Sequence, residues 1–250
     1  MGRALATGIS KSYRGLKETQ REQIIASFNG VSNGYFYNFL SFNYTFVLDN
    51  CVDAVKNKKV DLGVRTYNGV GHMNKIKNLI HVHGTVNEAM ALGVNDDSQI
   101  ADNSLFEGQD SLYKDQIIKQ NTNKNNESNT DEKALELLNS SDYIYIYGMS
   151  IGETDKLWWK RICDLMIRKK NVHVILHSYD APKEEIIRTD YLLYCNEKKR
   201  EFISYGEVGE ENGKDLMDRI HIDNTNVFSD MKDIVKNNET SNLIDEMIMV

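Results

Sequence analysis

An α/β fold with a mostly parallel sheet is what the sequence predicts, on three observations. Short runs rich in aromatic and β-branched residues alternate with longer amphipathic stretches, as at 35–42, 79–82, 143–147 and 172–176. Three of these runs lead into small or polar residues that an apolar core would not take: Asn43-Tyr44-Thr45, His83-Gly84 and Gly148-Met149-Ser150. Alternating strands and helices argue for a parallel sheet covered on both faces, and polar strand ends are how such a sheet builds a ligand crevice. The expectation is a Rossmann-like sheet with helical additions, in a single domain over 1–250.

In chain order, residues 17–29 carry Ile24, Ile25 and Phe28 on one helical face. Residues 35–42 read as an aromatic strand, and Val47, Cys51, Val52 and Val55 place a helix after the Asn-Tyr-Thr turn. A strand over 79–82 stops at His83-Gly84, and Met90 to Val94 is a further short strand candidate. Residues 110–120 read as helical, and the Asn-rich stretch 121–130 reads as a polar loop. A helix over 131–140, with Ala134, Leu135, Leu137 and Leu138, leads to the clearest strand, Tyr-Ile-Tyr-Ile-Tyr at 143–147. A helix over 154–169 buries Leu157, Trp158, Ile162, Leu165 and Met166, and a strand follows at 172–176. Pro182 suits the first turn of a helix that runs through Tyr194. From about residue 200 a mixed extension follows, with a short strand near Ile220-His221-Ile222 and two helical pieces.

Composition narrows the function classes. With 40% hydrophobic and 27% charged residues the chain can form a core, and its net charge of -7 argues against a general nucleic-acid binder. Cys51, Cys163 and Cys195 are odd in number and widely spaced, so neither a disulfide framework nor a zinc knuckle is expected. No apolar run reaches the roughly 18 residues that a membrane span needs. The N-terminus has no long apolar segment. A cytoplasmic protein with reduced thiols and no membrane contact is the expectation.

The three polar strand ends carry the chemistry. His83 is a candidate general base, because imidazole takes a proton near neutral pH, and Gly84 beside it lets the backbone turn and leaves room for a ligand. The bland alternative is a structural histidine at a strand end. His81, two residues earlier, would share its face if the strand continued, but no third ligand follows and no metal site is expected. Asn43 offers an amide that both donates and accepts, against the alternative of an ordinary turn residue with Thr45 as a competing N-cap. Gly148 and Ser150 let backbone N–H groups approach a phosphate or ribose, while Glu153 and Asp155 suit a helix N-terminus. Residues 148–152 also spell Gly-x-Ser-x-Gly, so a serine hydrolase using Ser150, Asp180 and His221 is a second reading. Trp158-Trp159 reads as core plus surface contact, Lys198-Lys199-Arg200 as a solvated helix end, and His173 and His177 as structural.

The ordered trio Phe42-Asn43-Tyr44-Thr45, Ile80-His81-Val82-His83-Gly84 and the segment from Tyr147 to Asp155 resembles the AbiH family of bacteriophage abortive-infection proteins, as does Leu92-Gly93-Val94-Asn95-Asp96. The resemblance spans roughly residues 36–180, and the family is itself similar to sirtuin-like NAD-handling defence proteins. It implies a Rossmann-like fold, a role in phage defence, and cleavage of the nicotinamide–ribose bond of NAD. It implies that Asn43 orients the ribose or a water, that His83 is the base, and that Thr45, Gly84, Gly148, Ser150 and Asp155 bind the nucleotide. It leaves open a silent nucleotide-binding or interaction module, and a phage-derived trigger or a homo-oligomer as partner. Thr45 stands where sirtuin-like proteins often have Asp. Such families open with a strand and a glycine loop, for which this chain offers only Gly8-Ile9-Ser10, so the expectation is that the first β-α unit is missing.

Overall fold

The structure is a computed structural model that describes residues 16–27, 34–57, 59–88, 90–94, 96–102, 113, 116–125, 129–181 and 188–224. The first described helix, α1 (Glu18–Ser27), buries Ile24, while Phe28 lies outside the described residues. Strand β1 (Phe36–Ser41) is followed by helix α2 (Val47–Asn57), whose buried Cys51, Val52 and Val55 fall on one face, as the spacing predicts. Next comes a hairpin, β2 (Val64–Tyr67) and β3 (Val70–Met73), turned by Asn68 and Gly69, both at positive φ. Strand β4 (Lys75–His81) then runs parallel to β1, with Ser41 opposite His81.

The second half adds helices α3 (Lys119–Asn125) and α4 (Thr130–Asn139), strand β5 (Tyr143–Ile146), helix α5 (Lys156–Arg168) and strand β6 (His173–His177). Helices α6 (Arg188–Tyr205) and α7 (Glu210–Met217) and strand β7 (Ile220–Asp223) complete it. Strands β5, β6 and β7 form a parallel sheet in that order, with β6 central. Its Val174, Ile175 and Leu176 are buried, as expected for a strand covered on both faces. Each such side chain contributes roughly 1.5–3 kcal/mol.

The α/β class and the parallel pairing agree with the sequence reading. Among the described residues, however, the parallel strands form two sheets, β1-β4 and β5-β6-β7. One core joins them: Leu40, Phe42 and Ile80 from the first pair pack with Ile146, Trp158, Leu176 and Ile222 of the second half. Phe42 meets Trp158 edge-on at 5.2 Å.

Several expectations need correction. Residues 90–94 form no strand; Val94 makes one isolated bridge, to Ile118. Part of the polar stretch 121–130 is helix α3, because buried Asn123 donates its amide to the Val82 carbonyl and to Asp131, both at 3.1 Å. Lys198-Lys199-Arg200 lies inside α6 rather than at its end, where Lys199 reaches back to the Met217 carbonyl at 2.9 Å. Trp158 and Trp159 are both core. The helix start at Pro182, the N-terminal Gly8-Ile9-Ser10 and the tail beyond residue 224 lie outside the described residues.

Candidate functional site

The site begins where β4 ends. The strand stops at His81, the next two residues turn, and Gly84 takes the left-handed conformation at φ +71°. The break separates the two histidines. His81 Nδ1 lies 2.9 Å from the Asn43 carbonyl oxygen, and its Nε2 lies 2.9 Å from an Asp49 carboxylate oxygen. His83 instead meets the edge of Phe42, with ring centroids 5.5 Å apart, and tilts toward Tyr44 at 6.4 Å. Among the described residues no group of three His, Cys, Asp or Glu side chains is arranged to hold a metal.

His83 is only 6% exposed, yet among the described residues neither ring nitrogen has a hydrogen-bond partner, and the buried Thr85 hydroxyl has none either. Burial, reinforced by the nearby Lys119 ammonium, lowers the His83 pKa to about 4. The ring is therefore neutral at pH 7, and the Lys119 charge beside it opposes its protonation. Buried polar atoms without partners are uncommon in folded proteins, and each needs a reason.

The neighbouring groups come from the other two signatures. Phe42 contacts both His83 and Trp158, so it joins the ends of β1 and β4 to the helix that follows the third signature. Tyr44 donates its hydroxyl to the Ala91 carbonyl at 3.2 Å, and burial together with the Asp155 carboxylate raises its pKa. After β5, Gly148 turns at φ +69°, and a Cβ on Gly148 or Gly152 would meet nothing within 4 Å, so this loop borders open space. Trp159 Nε1 donates to the Gly152 carbonyl at 3.0 Å and pins the loop to α5. Asp155 sits at the helix N-cap without a side-chain capping bond and accepts from the Thr154 hydroxyl at 3.3 Å. The structure thus brings His83, Tyr44 and Asp155 into one neighbourhood. Asn43, Thr45, Gly148 and Ser150 are exposed.

The serine-hydrolase constellation does not assemble. His221 is 1% exposed in β7, level with Ile175 and through it with Tyr145, two strands from β5 and so roughly 10 Å away. Its Nε2 is engaged by His173 Nδ1 at 3.0 Å, whereas Ser150 and Asp180 are exposed.

A family model described as Bacteriophage abortive infection AbiH matches residues 3–177. The chain belongs to the AbiH family. The match begins well before the motif-based expectation of residue 36 and takes in all three signatures. No curated protein and no solved structure matches this AbiH chain. The sequence reading missed three features of this neighbourhood: the Lys119 charge acting on His83, the Thr85 hydroxyl without a partner among the described residues, and the joining ring of Phe42. Lys119 gave no signal, because it stands in a polar run whose fold depends on distant partners.

Proposed function

We infer from membership in AbiH a role in bacteriophage abortive infection. We propose that the chain exerts it by cleaving the nicotinamide–ribose bond of NAD, with His83 as general base. The observation that supports this reading is a buried imidazole with no hydrogen-bond partner among the described residues, in contact with the Phe42 ring and tilted toward Tyr44 of the first signature. Nicotinamide leaves with the electrons of the glycosidic bond, and water adds to the ribose carbon. His83 takes the proton that water releases, and ADP-ribose results. The exposed Asn43 amide, bordering the site at the end of β1, orients the ribose or the water. Gly148 and Ser150 offer an open loop for the nucleotide, since nothing lies where a Gly148 side chain would project.

The test is nicotinamide release from NAD by the purified chain, against His83→Ala and Asn43→Ala. A second reading, a silent nucleotide-binding module, is favoured by one fact: the His83 pKa, lowered to about 4, leaves the ring a weak proton acceptor near neutral pH. Calorimetry with NAD and ADP-ribose separates the two, because binding without turnover selects the module.

A further inference from the structure

We propose that the cavity lined by Lys119, whose wall segment hydrogen-bonds the His83 backbone, is an anion subsite in which Lys119 holds a phosphate group of the nucleotide. The proposal rests on the nucleotide reading of the site. The cavity measures about 200 Å³ and is lined by Gly93, Val94, Gln99, Lys119, Glu153 and Thr154. Pockets for drug-sized ligands run to roughly 300–1,000 Å³, so this one takes a fragment of a nucleotide rather than the whole.

The wall is built to hold its shape. Val94 donates to the Ile117 carbonyl and Lys119 donates back to the Val94 carbonyl, each at 2.9 Å. A Cβ at Gly93 would come within 2.0 Å of the Ile117 oxygen, so only glycine allows this approach. Gln99 donates its amide to the Glu153 carbonyl at 2.9 Å and closes the far side. Ala91, at the start of the same segment, donates its N–H to the His83 carbonyl at 2.9 Å, which ties the wall to the base.

Among the described residues that line or flank the cavity, one cation is left unspent. Glu153 pairs with Lys156, Asp96 accepts from Ser98, and Asp155 accepts from Thr154. Lys119 is half-buried and has no side-chain partner among the described residues. An ammonium without a counter-charge is open to an anion, and lysine is a common point-charge binder of phosphate. The Lys119 charge also acts on the His83 ring, whose nitrogens have no hydrogen-bond partner among the described residues, so an anion held by Lys119 would be felt at His83.

Inorganic pyrophosphate is the probe, titrated into the full chain by calorimetry while the His83 ring is followed by NMR. The expected result is saturable binding, with His83 titrating at higher pH once the anion offsets the Lys119 charge. Lys119→Met should weaken binding about tenfold or more and raise the His83 pKa without ligand, while Lys119→Arg should retain binding. No binding by the wild-type chain, or equal binding by a folded Lys119→Met chain, would overturn the subsite. The two readings fail separately. Pyrophosphate binding lost in Lys119→Met, without NAD cleavage by the wild type, keeps the subsite and removes the catalytic reading. NAD cleavage with an unchanged KM in Lys119→Met removes the subsite and keeps the catalytic reading.

Discussion

His83 and Arg219 show how two buried side chains of opposite legibility set the behaviour of this protein. Burial lowers the His83 pKa from 6.5 to about 4, so the unfolded ring binds a proton before the folded one does. Stability from this group is therefore full above pH 6.5, declines as the pH falls, and is lost once the pH passes about 4. The loss amounts to about 3 kcal/mol. His221, lowered to about 3 by burial beside His173, acts in the same direction. Urea midpoints measured across this window should fall with acid, and less steeply for His83→Gln; equal slopes would contradict the assignment. Arg219 donates to the carbonyls of Met166, Lys169 and Val172 at 2.9–3.2 Å, which satisfies the C-terminal end of α5, and it pairs with Asp215 at 2.7 Å. Arg219→Met should cost about 2–4 kcal/mol in denaturant unfolding. His83 could be singled out in the sequence because it ends a strand beside a glycine. Arg219 could not, since its three carbonyl acceptors lie about fifty residues away and meet it only once α5 has packed.

At the scale of elements, local pattern and distant contact divide the work. Strand β5 was legible from its Tyr-Ile alternation, and α5 from apolar spacing that buries Trp158, Ile162, Leu165 and Met166 as expected, while Leu157 is only half-buried and Trp159 and Cys163 join the buried side. The hairpin β2-β3 passed unread although Asn68-Gly69 is a strong turn signal, because its strands are short and largely exposed. Helix α3 was unreadable: its Lys-Gln-Asn-Thr-Asn-Lys-Asn sequence has weak helix propensity, and Asn123 is held by Val82 and Asp131. Glycine substitutions rank these elements. Gly69→Ala meets no neighbour and should cost about 1–2 kcal/mol from the positive φ alone. Gly93→Ala also clashes with the Ile117 carbonyl and should lower the melting temperature further. The reverse order in thermal melts would mean that the 93–117 contact is not formed.

At the scale of the molecule, the three signatures are distant in sequence and meet through a shared core. Phe42 touches His83 and Trp158, Asp155 acts on Tyr44, and Lys119 acts on His83. Their order along the chain suggested the site; the buried, unpartnered imidazole at its centre emerged only from the folded arrangement. No described helix is long and apolar enough to cross a membrane. The central claim is that this arrangement cleaves NAD. The direct measurement is nicotinamide released when the purified, folded chain is incubated with NAD, alone and with extract from phage-infected cells. The account predicts release by the wild-type chain and a loss of about 10²–10⁴-fold in His83→Ala. No release by the folded wild-type chain under either condition, or equal release by His83→Ala, would contradict it.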